Sequence, residues 1–461
     1  MTTMTQTEQL WLEMTNRARL DPEAEAKRLG ITLNTNLPAG ANGSPIIGGP
    51  REPLAGNNTL QRIAETHAGN VLTKVIAHTK LDFNAHEDAG DGTPTERIRI
   101  GGYVQNALAN GEFFRPENAG WWSTQSALTQ AQLQQMVVSS HNSLFIDDPQ
   151  NSKGDAAGHR LAMLATDVKE VGVGTVTGTF TDAKGVPINN LVTIENFGAS
   201  GSKSFLTGAV YNDTVIKDHF YSLGEAVSGV TATVTNAAGA TVGSGSDMTG
   251  SGGGWSVGET GGTFKVTFSG HGLARTVSAT VAAGTQNAKV DLVNGTEIDS
   301  SASTELGTGA KGLRLLGMAD IDGTGNSTGN TIIGNKGDNH LAGKGGHDFL
   351  TGGLGDDTFV FTKLSDSSAL LSSADRITDF HHTTQHDLID LHLIDASTAL
   401  GGDQAFSFIG KHAYTHHAGE LRSVISGADT RIFADVDGDG RSDFSITLSG
   451  HHTLHADDFI L

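Results

Sequence analysis

The sequence predicts a multidomain chain: an α+β domain, then a β-sandwich, then a stack of very short strands closed by a β-rich segment. Three observations predict it. Helical amphipathic periodicity is confined to the first 200 or so of the 461 residues. From Ser204 the composition turns to Gly, Thr, Ser and Val in period-two runs. From residue 334 to 360 the chain repeats itself every nine residues.

In the first part, residues 8–29 place Leu10, Met14, Ala18 and Leu20 at helical spacing with Asn16, Arg17 and Arg19 between them. Residues 54–76 carry Leu60, Ala64, His67, Ala68, Val71 and Val75 on one stripe, which turns His67 toward a core. A third helix, residues 126–144, carries His141, and residues 171–176 and 191–197 read as strands. Helices packed on a small antiparallel sheet make this segment, residues 1–200, α+β. Residues 203–296 read as a compact β-sandwich: Gly229-Val-Thr-Ala-Thr-Val-Thr235 and Thr263-Phe-Lys-Val-Thr-Phe268 alternate between Gly-rich turns.

The nines run Gly334-Asn-Lys-Gly337-Asp-Asn339-His-Leu341-Ala, Gly343-Lys-Gly-Gly346-His-Asp348-Phe-Leu350-Thr and Gly352-Gly-Leu-Gly355-Asp-Asp357-Thr-Phe359-Val. A looser copy, Gly325-Asn-Ser-Thr-Gly-Asn330-Thr-Ile332-Ile, precedes them in frame. Gly at positions one and four meets a turn whose backbone angles resist a side chain. Asn or Asp at position six reaches a hard cation beside the turn's carbonyls. The apolar residue at position eight is buried only if units stack. The alternative, a solvated Gly/Asp loop, does not account for the shared frame.

The repeats resemble the calcium-binding nonapeptides of RTX proteins. The resemblance implies a parallel β-roll over residues 312–365, two units per coil, with calcium between turns eighteen residues apart. Asn339 would then pair with Asp357 and Asn330 with Asp348, framed by Gly334, Gly337, Gly343, Gly346, Gly352 and Gly355.

Net charge is −21, which makes nucleic acid and anionic membrane surfaces poor partners and suits calcium. No cysteine is present, so disulfides and thiolate metal sites are excluded. No window reaches membrane-spanning length, and residues 1–21 do not read as a signal peptide of the usual kind. By itself this reads as cytoplasmic; the RTX resemblance reverses the reading, implying a secreted, extracellular protein exported by a type I secretion apparatus.

Several phrases in the first part resemble the SCP domain (the CAP, or cysteine-rich secretory protein, superfamily). They are Leu12-Glu-Met-Thr-Asn16-Arg-Ala-Arg19, Asn84-Ala-His86, Glu117-Asn118-Ala119, His141-Asn-Ser-Leu144, Gly158-His159-Arg160 and Val171-Gly-Val-Gly174. The resemblance implies an α-β-α sandwich with a cleft lined by two His and two Glu. His86, Glu117 and His159 match three of these; His141 lies where the second Glu belongs. Such a cleft implies capture of a lipid- or sterol-like ligand or of a partner. Zn2+ or another divalent ion at His86 and His159 is a further reading, and a polar network bracing the cleft is the plain one.

Residues 205–230 resemble the opening of B-type and carboxypeptidase-regulatory-like modules, with Asp213, Asp218 and Glu225 as weaker calcium candidates against a plain spacer. Residues 366–461 resemble the serralysin C-terminal domain through Asp375-Arg-Ile-Thr-Asp-Phe380, Asp387-Leu-Ile-Asp-Leu391 and Asp443-Phe-Ser-Ile-Thr-Leu448. In that family the region caps the roll and carries the export signal, here ending Asp457-Asp-Phe-Ile-Leu461. Asp435, Asp437, Asp439 and Asp443 hold positions one, three, five and nine of a calcium loop; Ile446 at twelve excludes an EF-hand, and an Asp-rich hairpin turn is the alternative.

No His-Glu-x-x-His occurs, so the protease chemistry associated with a serralysin-like tail has no motif here. The expected function is a secreted calcium-binding protein with a ligand-binding SCP-like cleft. The alternatives are a metal-assisted hydrolase using His86, Glu117 and His159, and a surface adhesion protein.

Overall fold

The computed structural model describes residues 4–34, 48–77, 91–100, 103, 117–146, 158–182, 184–199 and 201–461. They form two compact units. One comprises Met1–Gly262, Phe268–Ala274 and Ala283–Gly295; the other comprises Thr263–Thr267, Arg275–Ala282 and Thr296–Leu461.

The first unit opens with α1 (Gln6–Leu20), entered through a capping box between Thr5 and Glu8. The single helix expected over residues 8–29 is two. Pro22 has no N–H to continue α1, and Asp21 caps α2 (Pro22–Arg28) by accepting from Ala24 N at 3.0 Å. Then follow β1 (Ala55–Gly56), α3 (Asn58–Ala77), α4 (Pro94–Ile100), β2 (Glu117–Thr124), α5 (Gln130–Ile146), α6 (Gly158–Met163), β3 (Glu170–Thr181) and β4 (Pro187–Gly198). The sheet order is β1-β3-β4-β2, antiparallel except for β1 beside β3.

Successive residues of a strand face opposite layers. Val171 and Val173 of β3 enter a core with Leu10, Trp11 and Met14 of α1 and Phe145 of α5. On the other face, a Cβ at Gly172 or Gly174 would fall on the backbone of Leu60 or Ala64 in α3. Those two glycines let α3 lie directly on the sheet, where Ala64, Ala68, Val71 and Val75 pack against Val192 and Ile194 of β4. Helices therefore cover both faces.

The next strands are β5 (Ser204–Tyr211), β6 (Val230–Asn236), β7 (Thr241–Met248), β8 (Gly254–Glu259), β9 (Gly262–Gly270), β10 (Val277–Gly284) and β11 (Ala288–Val293). β5 pairs antiparallel with β8 and parallel with β11, and β6 pairs antiparallel with β7. Ala209, Tyr211, Tyr221, Leu223 and Val293 share the core of α1 and α5, and Lys289 is buried between Asp291 and Glu13, 2.8 Å from the latter. The change in composition at Ser204 thus does not separate two compact units.

The second unit is built on β12 (Glu297–Ser300), β13 (Ser303–Leu306), β14 (Gly312–Leu315), β15 (Gly323–Thr324), β16 (Thr331–Ile333), β17 (His340–Ala342), β18 (Phe349–Thr351), β19 (Thr358–Val360), β20 (Asp375–Ile377) and β21 (Leu388–Asp390). It closes with β22 (Ser407–Phe408), β23 (Glu420–Ser426), β24 (Asp429–Asp435), β25 (Phe444–Ser449) and β26 (Phe459–Ile460). Alternate strands make two parallel ladders, β12-β14-β16-β18-β20-β25 and β13-β15-β17-β19-β21-β26. Ile332 faces Leu350 and Leu341 faces Phe359, eighteen residues apart, and all four are fully buried. This is a parallel β-roll. It starts at Glu297, ahead of the recognisable repeats, and continues past residue 365, because strands without the nonapeptide pattern pair in the same ladders. β25, β24 and β23 form an antiparallel end to one ladder.

Among the described residues, no helix is long and apolar enough to cross a membrane.

Candidate metal centre

Each turn of the roll places position six at the start of a short strand, where the inward row of carboxylates is buried. Asp348 Oδ1 accepts the N–H of Asn330 at 2.6 Å, and Asp357 Oδ1 accepts that of Asn339 at 2.9 Å. The expected partners, eighteen residues apart, are thus brought together, but through the backbone of the asparagines. The ladder then extends to residues the repeats did not mark: Asp375 Oδ1 accepts Asp348 N at 2.9 Å, and Asp387 Oδ1 accepts Asp357 N at 3.0 Å.

The second oxygens differ. Asp348 Oδ2, Asp357 Oδ2, Asp375 Oδ2 and Asp366 Oδ1 are buried without a hydrogen-bond partner among the described residues. Burial pushes the Asp348 and Asp357 carboxyls up to about 7. It pushes Asp375 up to about 8, and neighbouring carboxylates add to each shift: Asp366 beside Asp348 and Asp375, and Asp387 and Asp379 beside Asp357. Buried, oxygen-only donors short of positive charge are the chemistry of a hard divalent cation. The residues present fit calcium.

The glycines serve this arrangement in two ways. At position one, a Cβ on Gly343 or Gly352 would fall on Oδ2 of Asp348 or Asp357, so glycine leaves room beside that buried oxygen. A Cβ on Gly334 or Gly337 would strike the backbone of Gly352 or Ala319. At position four, Gly346 and Gly355 take φ of +136° and +110°, which side chains rarely adopt.

Asn330 and Asn339 are not equivalent to the aspartates. Their Oδ1 atoms accept Asn326 N at 2.7 Å and Asn335 N at 2.9 Å. Their amide nitrogens donate to Lys311 O at 3.4 Å and Ile321 O at 2.7 Å. An N–H donor therefore stands where aspartate offers a bare oxygen, so these two residues present different chemistry to the turn from Asp348 and Asp357. Asp366 was missed because its unit has no glycine, and Asp375, Asp379 and Asp387 because the frame ends after it. The signal was present in Phe361-Thr-Lys-Leu-Ser-Asp366, a glycine-free unit with Asp at position six.

In the first unit, Glu117 and Asn118 point to opposite faces of β2. Glu117 accepts from Arg97 Nη2 through both carboxylate oxygens, at 2.6 and 2.7 Å, and lies 3.6 Å from His67 Nε2. His67, fully buried as its stripe predicts, meets Asp91 through Nδ1 at 2.9 Å. On the other face Glu195 accepts Asn118 Nδ2 and Thr15 Oγ1, both at 2.9 Å, and burial pushes its carboxyl up. His141 lies in contact with Thr15 Oγ1 at 3.4 Å and edge-on to Trp11 at 5.3 Å, and burial pushes its imidazole down to about 3. His159 is half-buried in α6, its carbonyl 3.3 Å from Asn118 Nδ2. Glu117 and His141 therefore do not share one site, and His86 lies outside the described residues. His67, Asp91, Arg97 and Glu195 were not singled out as site residues, since a buried polar network has no motif.

The remaining acidic candidates are occupied by backbone N–H groups. Asp213 accepts from Asp218 N and His219 N, and Glu225 accepts from Thr214, Val215, Ile216 and Ser222 N. These carboxylates organise their own loop, and burial pushes Asp218 up. Asp435, Asp437 and Asp443 bring their carboxylates within 4.8 Å of one another in the turn between β24 and β25, while Asp439 stands outside that group. Asp435 accepts from Gly438 N at 2.7 Å and Gly440 N at 2.8 Å, so the hairpin-turn reading describes the loop as it stands.

No curated protein matches the chain. Among solved structures, it is similar to the R2 subunit of the Azotobacter vinelandii mannuronan C5-epimerase AlgE6, at 31% identity over 30% of this chain and 80% of that one, with a TM-score of 0.22. It is also similar to the R3 subunit of the same epimerase, at 24% identity over 36% and 78%, with a TM-score of 0.21. The family model described as Peptidase M10 serralysin C terminal matches residues 171–461. With the roll, its buried carboxylates and this match over more than half its length, the chain belongs to the Peptidase M10 serralysin C terminal family.

Proposed function

We propose that the chain is a secreted calcium-binding protein whose roll becomes rigid when calcium enters the turns. The observation that carries this reading is the set of four buried carboxylate oxygens on Asp348, Asp357, Asp366 and Asp375 that lack hydrogen-bond partners among the described residues, only that of Asp366 standing near a cation, Lys363 Nζ at 3.8 Å. Asp348, Asp366 and Asp375 would hold an ion on one edge, and Asp357 with Asp379 and Asp387 on the other. The bound ion supplies the positive charge that lets adjacent carboxylates ionise together. Membership of the serralysin C-terminal family supports export through a type I apparatus, with the segment ending Asp457-Asp-Phe-Ile-Leu461 as its address.

Where free calcium is scarce, residues 325–461 stay loosely folded and exportable; millimolar calcium outside saturates sites of about 10⁻⁴–10⁻³ M, the range of extracellular modules. Circular dichroism of the full chain with calcium and with a chelator tests this. A β signal that chelation leaves unchanged would sink the proposal.

We further propose that residues 1–200 form an SCP-like ligand-binding domain. Support comes from α3 on one face of the β1–β4 sheet and α1 and α5 on the other, the layering that the resemblance implies. Extraction of the calcium-loaded full chain followed by mass spectrometry tests for a co-purifying lipid. Recovery of none, together with no uptake of sterol or fatty acid, overturns this second reading and leaves the first standing.

A further inference from the structure

The end of the roll gathers a second set of donors, different in kind from the oxygen-only turns. His382 follows β20, His455 precedes the short 3-10 turn Ala456–Asp458, and Asp458 leads into β26. One ligand-capable atom from each of the three lies within 4.8 Å of the other two. His382 Nδ1 stands 3.4 Å from Asp458 Oδ1, and His455 Nδ1 stands 4.0 Å from Asp458 Oδ2.

Each group is held in place. Asp458 is 7% exposed, and its Oδ2 accepts the N–H of His455 at 2.6 Å. Phe380 stacks on the His382 ring at 6.1 Å and 19°. His452 stands edge-on to His382 at 6.0 Å, with its Nε2 2.9 Å from Ser449 O. Two imidazole nitrogens turn toward this one carboxylate, and His455 is largely exposed to incoming ions.

We propose that His382, His455 and Asp458 form a binding site for a divalent transition metal of the zinc class. Two nitrogens and one carboxylate are the three-ligand set such ions accept, with a fourth position left to water. Imidazole donors favour this class of ion over calcium, so the site and the roll's turns do not compete for one metal. Because His382 belongs to the segment after β20 and the other two precede β26, a bound ion would pin the last strand to that segment.

The test uses the calcium-saturated full chain, with zinc titrated against a chromogenic chelator and cobalt as a spectroscopic probe. His455→Ala, which removes a largely exposed ring and spares the fold, and Asp458→Asn should each weaken zinc binding by about 10- to 100-fold. The double variant His382→Ala/His455→Ala should bind one equivalent fewer and lose the visible cobalt bands of a four-coordinate site. His386→Ala, on an exposed histidine elsewhere in the roll, should change neither. Zinc stoichiometry and affinity that are the same in the double variant and the parent overturn the proposal, as does a parent chain that binds no zinc.

Discussion

Asp348 and Asp375, twenty-seven residues apart in sequence, are adjacent rungs of one ladder: the backbone N–H of Asp348 donates to Asp375 Oδ1 at 2.9 Å, and each side chain keeps its Oδ2 bare and buried. A roll without metal must either hold such neighbours protonated or bear their repulsion.

The pH dependence of the metal-free chain follows. Asp348 and Asp357 stand at about 7 and Asp375 at about 8 when folded, above the value near 4 of an unfolded aspartate. The folded state then binds these protons more readily, so their contribution is full below about pH 4 and is lost as pH climbs through 7 to 8. Thermal melts in chelator should show a transition that falls from pH 5 to pH 8. In saturating calcium that fall should vanish; a metal-free chain more stable at pH 8 than at pH 5 would contradict the assignment.

Asp348→Asn and Asp357→Asn should each raise the calcium concentration at half-folding by roughly tenfold, equivalent to about 1.4 kcal/mol. The same variants should stabilise the chelated protein at pH 8, because an uncompensated buried charge is gone. Opposite signs in the two buffers separate a ligand from a structural carboxylate.

Asn335→Ala probes the asparagine-bearing coils. Its amide donates to Leu316 O at 3.1 Å and Ala319 O at 2.9 Å, and its Oδ1 accepts Gly337 N at 2.9 Å. Loss of these buried partners should cost about 1–3 kcal/mol. Denaturant titration in saturating calcium should give that loss.

Gly172→Ala should disrupt the first unit alone, since its Cβ would fall on the Leu60 backbone. Overpacking of this kind costs about 1–3 kcal/mol. Helical circular dichroism should fall on milder heating while the calcium-induced β signal stays unchanged.

The roll was legible because its constraint is local and repeated: a glycine that clears a carboxylate and an apolar residue two positions beyond it leave a period that survives in the text of the chain. Asp375 and Asp387 were not legible as ligands, since their spacing from Asp348 and Asp357 is set by strand pairing across irregular loops. The network of His67, Asp91, Arg97 and Glu117 was hidden for a similar reason. Its members come from α3, α4, β2 and an intervening turn, and only the fold brings each within 3.6 Å of two others. The helix break at Pro22, by contrast, was readable from one residue.

The pairing of β20 with β25 and of β21 with β26 means that residues 444–460 close both parallel ladders at once. A ladder left open ends in a row of unsatisfied amides, an invitation to a strand from another molecule. The final segment therefore acts as a stopper: β25 hands one ladder over to the antiparallel β24, and β26, outermost in the other, is only two residues long and offers an incoming strand little to pair with.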